Sequence, residues 1–145
     1  MEAHFEQIAN ELQAEQTIRD NISREVRELG VIERKLTSLL AKVHVDPNNS
    51  AETEQICSNA GTLFESSYGH WQTIRQLIGA DPVEKYRGQW RSLVQNLVFL
   101  AAFRHWLLTH ELLEEEETSK VIFGDASNRM LAVLGHGSRR SAPRS

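Results

Sequence analysis

One amphipathic pattern fills almost the first third of the chain and limits the folds that are open to it. From Phe5 to Val43, large apolar residues recur at steps of three and four, and Gly30 lies inside the pattern without shifting its phase. Asp46-Pro47 ends it. The spacing predicts a single helix over about 4–45. At ~1.5 Å per residue such a helix spans roughly 60 Å, well beyond the diameter of a small domain, so it needs a long partner.

Two further helices are predicted downstream, which makes the fold class all-α. A second amphipathic pattern covers 50–78, and Asn49 stands where the first residue of a capping box is expected. Asp81-Pro82 combines an N-cap acid with a proline at the first helical position, which predicts a third helix over 82–117. We therefore expect a bundle of long helices over 1–117.

The third predicted helix changes character along its length. Its segment Leu97–Phe103 is apolar on every side, and a helix of that kind must be covered on every side. Two preceding helices can cover only part of it. The pattern therefore predicts that other subunits, or chain beyond these three helices, pack against the remainder, and we expect self-association.

Residues 118–145 do not continue the helical pattern. The acidic run Glu114–Glu117 precedes a short apolar patch, Val121–Phe123, and the remainder is rich in glycine, serine, proline and arginine. This composition predicts a largely disordered tail.

Composition and motifs exclude several classes of function. The net charge is -4, so bulk charge does not predict an anionic partner. The longest apolar run is far shorter than the roughly 20 residues that a bilayer requires. Cys57 is the single cysteine, and no secretory signal is visible, so we expect a cytoplasmic and nuclear protein without membrane contact. The six histidines lack zinc spacing and no nucleotide-binding or nucleophile motif occurs, so we expect no metal, no cofactor and no catalytic residue.

The segment that indicates a function is Lys85-Tyr86-Arg87-Gly88-Gln89-Trp90-Arg91, where three cations and two aromatic side chains fall within two turns. Cations neutralise phosphates and aromatic rings stack on unpaired bases, so the pattern is typical of single-stranded nucleic-acid binding. A second interpretation has the two aromatic side chains facing the core and the two arginines, also four apart, forming an ordinary exposed stripe. From these residues alone both interpretations stay open.

Three motifs in the same order resemble the translin family. Trp90-Arg91, Gln95 and the run Leu97–Phe103 are similar to the family's W-R-x-x-x-Q-x-L-V-F-L-A-A-F core. Upstream, Ala14–Arg19 resembles the family's A-E-Q-x-I-R segment, and Leu39–His44 resembles its L-L-x-x-V-H ending. The resemblance covers about residues 5–113.

The resemblance implies an all-α subunit of a hollow, usually octameric assembly that binds single-stranded DNA and RNA inside it. It implies a homo-oligomer, with translin-associated factor X as a further partner. Gln89 stands where relatives often have histidine. The residues it implies for nucleic-acid binding are Lys85, Arg87, Gln89 and Arg91, with Arg19 as a weaker candidate. To these we add Tyr86 and Trp90 as stacking residues, from the pattern of the segment itself.

The resemblance also implies a binding subunit rather than a catalytic one. Translin-associated factor X holds divalent metal for RNA hydrolysis through an E-x-x-E pair on the corresponding helix, where this chain has Asn96 and Phe99. Neither side chain is an anionic metal ligand. The sequence after Leu113 does not resemble the family's C-terminal helices, so we expect a bundle that lacks them. Two alternatives remain: a metal-dependent endoribonuclease subunit with translin-associated factor X, and a helical scaffold that has lost nucleic-acid binding.

Overall fold

The computed structural model describes residues 2–45 and 50–124, and every regular element in them is helical, which confirms the all-α class. Three short 3-10 turns, at Lys42–Val45, Val83–Lys85 and Arg87–Gln89, accompany the α-helices. None of the helices in this part of the chain is long and apolar enough to cross a bilayer. The α-helices are α1 (Glu2–Ala41), α2 (Ser50–Ser66), α3 (Tyr68–Ile78), α4 (Arg91–Thr109) and α5 (Glu115–Phe123).

The long helix α1 is the axis of the fold, and its span is close to the predicted one. It packs against α2, α3 and α4. Only the half of α1 after residue 20 buries its apolar stripe; Phe5, Ile8 and Leu12 in the first half are exposed. The side chains that α1 contributes to the core are Ile22, Leu29, Ile32, Leu36 and Leu40.

The second predicted helix is two helices in the structure, because Ser67 interrupts it. The Ser67 side chain is buried, and its Oγ donates a hydrogen bond of 2.6 Å to the carbonyl oxygen of Phe64. A serine hydroxyl that takes a backbone carbonyl competes with the helical ladder. The predicted cap at Asn49 lies outside the described residues.

The predicted start of the third helix is wrong. Pro82 is extended, with ψ 138°, and two 3-10 turns follow before α4 begins at Arg91. A 3-10 turn places residues i and i+3 on one side, and this brings Val83 and Tyr86 into the core together. The burial of these two side chains therefore outweighs the local helix-start signal at Asp81.

The predicted end of the third helix is also wrong. Helix α4 ends at Thr109, where His110 adopts the left-handed conformation (φ 61°) and its N–H donates to the carbonyl oxygen of Trp106 at 2.8 Å. A left-handed residue after the last turn is a common helix stop. The acidic run then falls mostly in the first turn of the separate helix α5.

Helix α5 also corrects the predicted disordered tail over residues 118–123. Ile122 and Phe123 are fully buried, and the Phe123 ring meets the Trp71 ring edge-on at 4.8 Å between centroids. The Tyr68 hydroxyl donates to the carbonyl oxygen of Val121 at 2.8 Å. Gly124 ends the helix at φ 60°, and a Cβ there would lie 2.7 Å from the Tyr68 ring. Residues 125–145 of the predicted tail lie outside the described residues.

The apolar segment of α4 is covered on one side only. Val94, Leu97, Leu100 and Ala101 are buried in the core. On the opposite side, Phe99 is 67% exposed and stacks in parallel on Phe103, with 6.2 Å between ring centroids. Within the described residues, one face of this helix is thus left without cover, as its composition predicted.

We predict that Phe123→Ala lowers the free energy of unfolding by about 3–5 kcal/mol, because it empties the site beside Trp71. Urea denaturation followed by circular dichroism measures the change. Phe5→Ala, at a residue that is 66% exposed, is the matched control and should change stability by less than about 0.5 kcal/mol. Equal effects of the two substitutions would show that α5 is not part of the cooperative core.

Candidate nucleic-acid interface

The segment 85–91 is fixed against the middle of α1 by Gln89. Its Nε2 donates hydrogen bonds of 3.0 Å to the carbonyl oxygen of Arg19 and to the hydroxyl of Ser23. The structure therefore brings the predicted site residues of both regions together. Arg19, Lys85, Tyr86 and Gln89 meet where α1 passes the 3-10 turns.

Two of the predicted cations share one carboxylate, Glu15. Its Oε2 accepts from Arg19 Nη2 at 3.0 Å, and its Oε1 lies 3.2 Å from Lys85 Nζ. The same guanidinium donates to the carbonyl oxygen of Lys85 at 3.2 Å and lies 5.0 Å from the centre of the Tyr86 ring. The charges of Arg19 and Lys85 are thus partly compensated within the chain.

The pKa values of Glu15 and Lys85 are shifted in opposite directions. Hydrogen bonds from Arg19 and Lys85 lower the pKa of Glu15 below its ordinary value. The hydrogen bond to Glu15 raises the pKa of Lys85. Both shifts favour the charged forms of Glu15 and Lys85, so the ion pair between them is stabilised.

Tyr86 and Trp90 belong to the core, which decides between the two interpretations of this segment. Tyr86 is 1% exposed and Trp90 is fully buried, with its ring edge-on to Trp71 at 6.3 Å between centroids. The Tyr86 hydroxyl donates to Asp81 Oδ2 at 2.8 Å. A base cannot reach either ring in this conformation, so the predicted stacking role does not hold. The two residues instead fix the backbone that carries the cations.

The cations of the segment that remain are Arg87 and Arg91, the stripe of the second interpretation. Arg91 is exposed and Arg87 is half-buried. Among the described residues, neither guanidinium takes part in an ion pair or a side-chain hydrogen bond. Their charges are therefore available to an anionic ligand, unlike those of Arg19 and Lys85.

A cavity of about 420 Å³ lies beside this cluster, but its chemistry does not suit phosphate. Glu11, Glu15 and Asp81 line it together with the single cation Lys85, and apolar side chains of α1 complete the wall. Three carboxylates around one lysine repel an anion. An anionic strand would therefore approach Arg87 and Arg91 rather than enter this cavity.

Two residues of the cluster were not identified as functional from the sequence. Glu15 stands four residues before Arg19, a spacing that predicts the helical ion pair, but its contact with Lys85 depends on the fold. Asp81 was assigned to a helix cap and instead accepts a hydrogen bond from the Tyr86 hydroxyl.

Asn96 and Phe99 occupy the positions where the catalytic relative has its metal-binding glutamates, and both are exposed on α4. Residues 2–45 and 50–124 contain no group of three side chains that could hold a metal ion.

Comparison with known proteins agrees with the helical architecture. The model of the translin family, described as "Translin family", matches residues 17–134 of this chain. The chain is 29% identical over 118 residues to translin from Mus musculus and to translin from Homo sapiens, in each case over 81% of this chain and 51% of the relative. It is 27% identical over 120 residues to translin from Gallus gallus, over 83% of this chain and 52% of the relative. The chain thus spans about half the length of the curated relatives that it matches.

We predict that Tyr86→Phe makes the stability less sensitive to alkaline pH. Burial, together with the hydrogen bond to Asp81, raises the pKa of Tyr86 above its ordinary value of about 10. A raised folded-state pKa contributes stability that is complete below the unfolded-state pKa and is lost as pH rises through the folded-state value. Thermal unfolding is measured between pH 9 and pH 11, about one unit on either side of that ordinary value. The unfolding temperature should fall less steeply with pH for the variant than for the wild type. Parallel curves in this range would contradict the assignment, and the curves at neutral pH, where neither form titrates, serve as the control.

Proposed function

The chain belongs to the translin family, and on that premise we propose that it is a non-catalytic subunit of an oligomeric assembly that binds single-stranded DNA and RNA. Family membership supports a translin-like nucleic-acid-binding subunit. Because the chain spans about half of each relative, the activity of the whole protein is part of this proposal. We extend it to a homo-oligomer in the cytoplasm and nucleus, with translin-associated factor X as a partner.

The observation that carries the proposal is the uncompensated pair Arg87 and Arg91 on a rigid support. Tyr86 and Trp90 anchor the backbone in the core on either side of Arg87, and Gln89 ties it to α1. A cation that is held in place loses little conformational entropy when it binds phosphate. The stripe is therefore preorganised for contacts to a nucleic-acid backbone.

The contacts at this stripe favour sequence-tolerant binding. Contacts to phosphate position a strand but carry no sequence information. The aromatic rings of the segment are buried, so base stacking on them does not add discrimination. We expect Arg19 and Lys85 to contribute less than the two free arginines, since Glu15 already neutralises much of their charge.

The non-catalytic role is supported by the residue types on α4. Asn96 and Phe99 replace the carboxylates that the catalytic relative would need to bind metal. Both lie on the exposed side of the helix, where a ligand could reach them. An amide and a phenyl ring at these places fit a subunit that binds a strand and leaves it intact.

We predict that Arg87→Ala/Arg91→Ala weakens binding of a labelled single-stranded oligonucleotide by about tenfold or more in fluorescence anisotropy. For each subunit that contacts the strand, the slope of log affinity against log salt should become less negative by about 1.4, because two phosphate contacts are lost at about 0.7 each. Circular dichroism and sedimentation should remain unchanged, since both side chains point away from the core contacts.

The matched control is Arg75→Ala/Lys120→Ala, which removes two positive charges from exposed positions on α3 and α5. It should leave both the affinity and the salt slope close to the wild-type values. The assignment fails if the two double variants bind equally well, or if only the control weakens binding.

A further inference from the structure

A second cationic surface lies between α1 and α2, away from the stripe at Arg87 and Arg91. It is a shallow groove of about 450 Å³. Its apolar floor consists of Val31, Leu39 and Leu63, and its rim carries three cations, Arg34, Lys35 and Lys42, together with Ser38. None of the described residues that line it is acidic. We refer to it as the cationic groove.

The three cations of the cationic groove have no anionic partner among residues 2–45 and 50–124. In the part of the chain that the structure describes, Arg34, Lys35 and Lys42 form no ion pair and no side-chain hydrogen bond. This contrasts with Lys85, which is held by Glu15. Three like charges around an apolar floor are unfavourable unless an anionic group with an apolar part lies against them.

A segment of the same chain has the complementary chemistry. Leu112 is 87% exposed, the half-buried Leu113 follows it, and Glu114–Glu117 are all exposed. Over the described residues, these four carboxylates form no ion pair. The segment, 112–117, comprises the end of the connection after α4 and the first turn of α5, and it is held at both ends, by the stop at His110 and by the buried residues of α5. We refer to it as the acidic corner.

The floor of the cationic groove distinguishes a protein segment from a nucleic acid. The aliphatic floor is covered by an apolar side chain, which a phosphate backbone does not supply. Leu112 supplies an apolar side chain for the floor, and the four glutamates that begin two residues later supply carboxylates for the rim. No ion pair joins the cationic groove to the acidic corner of its own chain within the described residues, so the two surfaces are free to meet between copies.

We propose that the acidic corner of one copy docks in the cationic groove of a second copy. Leu112 lies on the aliphatic floor, and the glutamates face Arg34, Lys35 and Lys42. The two surfaces differ, so the contact is head-to-tail: the first copy keeps a free groove and the second keeps a free corner, and further copies can add at both. The inference rests on the oligomeric part of the proposed function and deepens it, but it does not depend on nucleic-acid binding.

The test uses two charge-reversal variants of the full chain, in sedimentation velocity without nucleic acid. Lys35→Glu/Lys42→Glu changes the charge of the rim from +3 to -1, so an acidic groove faces an acidic corner. Glu115→Lys/Glu116→Lys/Glu117→Lys changes the charge of the four glutamate positions from -4 to +2, so a basic corner faces a basic groove. Juxtaposed like charges oppose association. Each variant alone should therefore dissociate at a concentration at least about tenfold higher than the wild type does.

An equal mixture of the two variants should restore assembly, because each groove then meets a corner of opposite charge. High salt should weaken the wild-type contact, since rim charges are screened. Arg24→Glu/Arg75→Glu, at two exposed positions on α1 and α3, is the matched control for charge reversal elsewhere and should sediment like the wild type. Circular dichroism shows whether each variant remains folded. Recovery of assembly in the mixture requires that both variants are folded.

Four outcomes would overturn the proposal: a monomeric wild type, reversal variants that assemble as the wild type does, a mixture that stays dissociated, or variants that lose stability without any change in mass. Loss of oligonucleotide binding by the groove variant at unchanged mass would assign the groove to nucleic acid and likewise overturn it. Failure of the proposed binding function is distinguishable, since it would appear as assembly with normal mass and no response to oligonucleotide.

Discussion

The contact of Trp71 with two other rings holds the parts of this structure together. Trp71 on α3 is fully buried and meets Trp90, which precedes α4, at 6.3 Å and Phe123 of α5 at 4.8 Å, both edge-on. Edge-on pairs of this kind add to the free energy that burial alone contributes. Because Trp90 is fixed here, the arginines on either side of it project to the surface. Because Phe123 is fixed here, α5 is held against the bundle together with the acidic residues of its first turn.

The all-α architecture follows from the sequence, because apolar periodicity over long spans reports which faces are buried. The ends of the helices were harder to predict. The cap signal at Asp81 is local, whereas the 3-10 turns that replace it depend on burying Val83 and Tyr86 against distant residues. Helix α5 escaped detection for a similar reason. Its sequence has few apolar residues, and the pocket beside Trp71 that accepts Phe123 exists only after the chain has folded.

The candidate interface shows the same division between local and tertiary information. A spacing of four placed Tyr86 with Trp90 and Arg87 with Arg91, but spacing does not reveal which pair faces the core. The hydrogen bonds of Gln89 to α1 determine that orientation. The pair Glu15 and Arg19 could be anticipated from helix geometry, while the approach of Lys85 to the same carboxylate could not. The charges of segment 85–91 could therefore be predicted from the sequence, whereas the pairing of Lys85 with Glu15 could not.

The uneven burial of α1 gives one continuous helix two different thermodynamic behaviours. Beyond Ile22 its backbone is locked by the core, whereas the residues before Glu15 have no such packing and stay helical by propagation from the folded part. The cross-tie from Glu15 to Lys85 sits at the boundary. Fraying that starts at the amino end of α1 therefore costs little free energy until it reaches the contact between Glu15 and Lys85. Amide hydrogens of α1 should exchange fast before this contact and slowly after it. The ion cluster thus marks the place on α1 where local melting meets the packed part of the bundle.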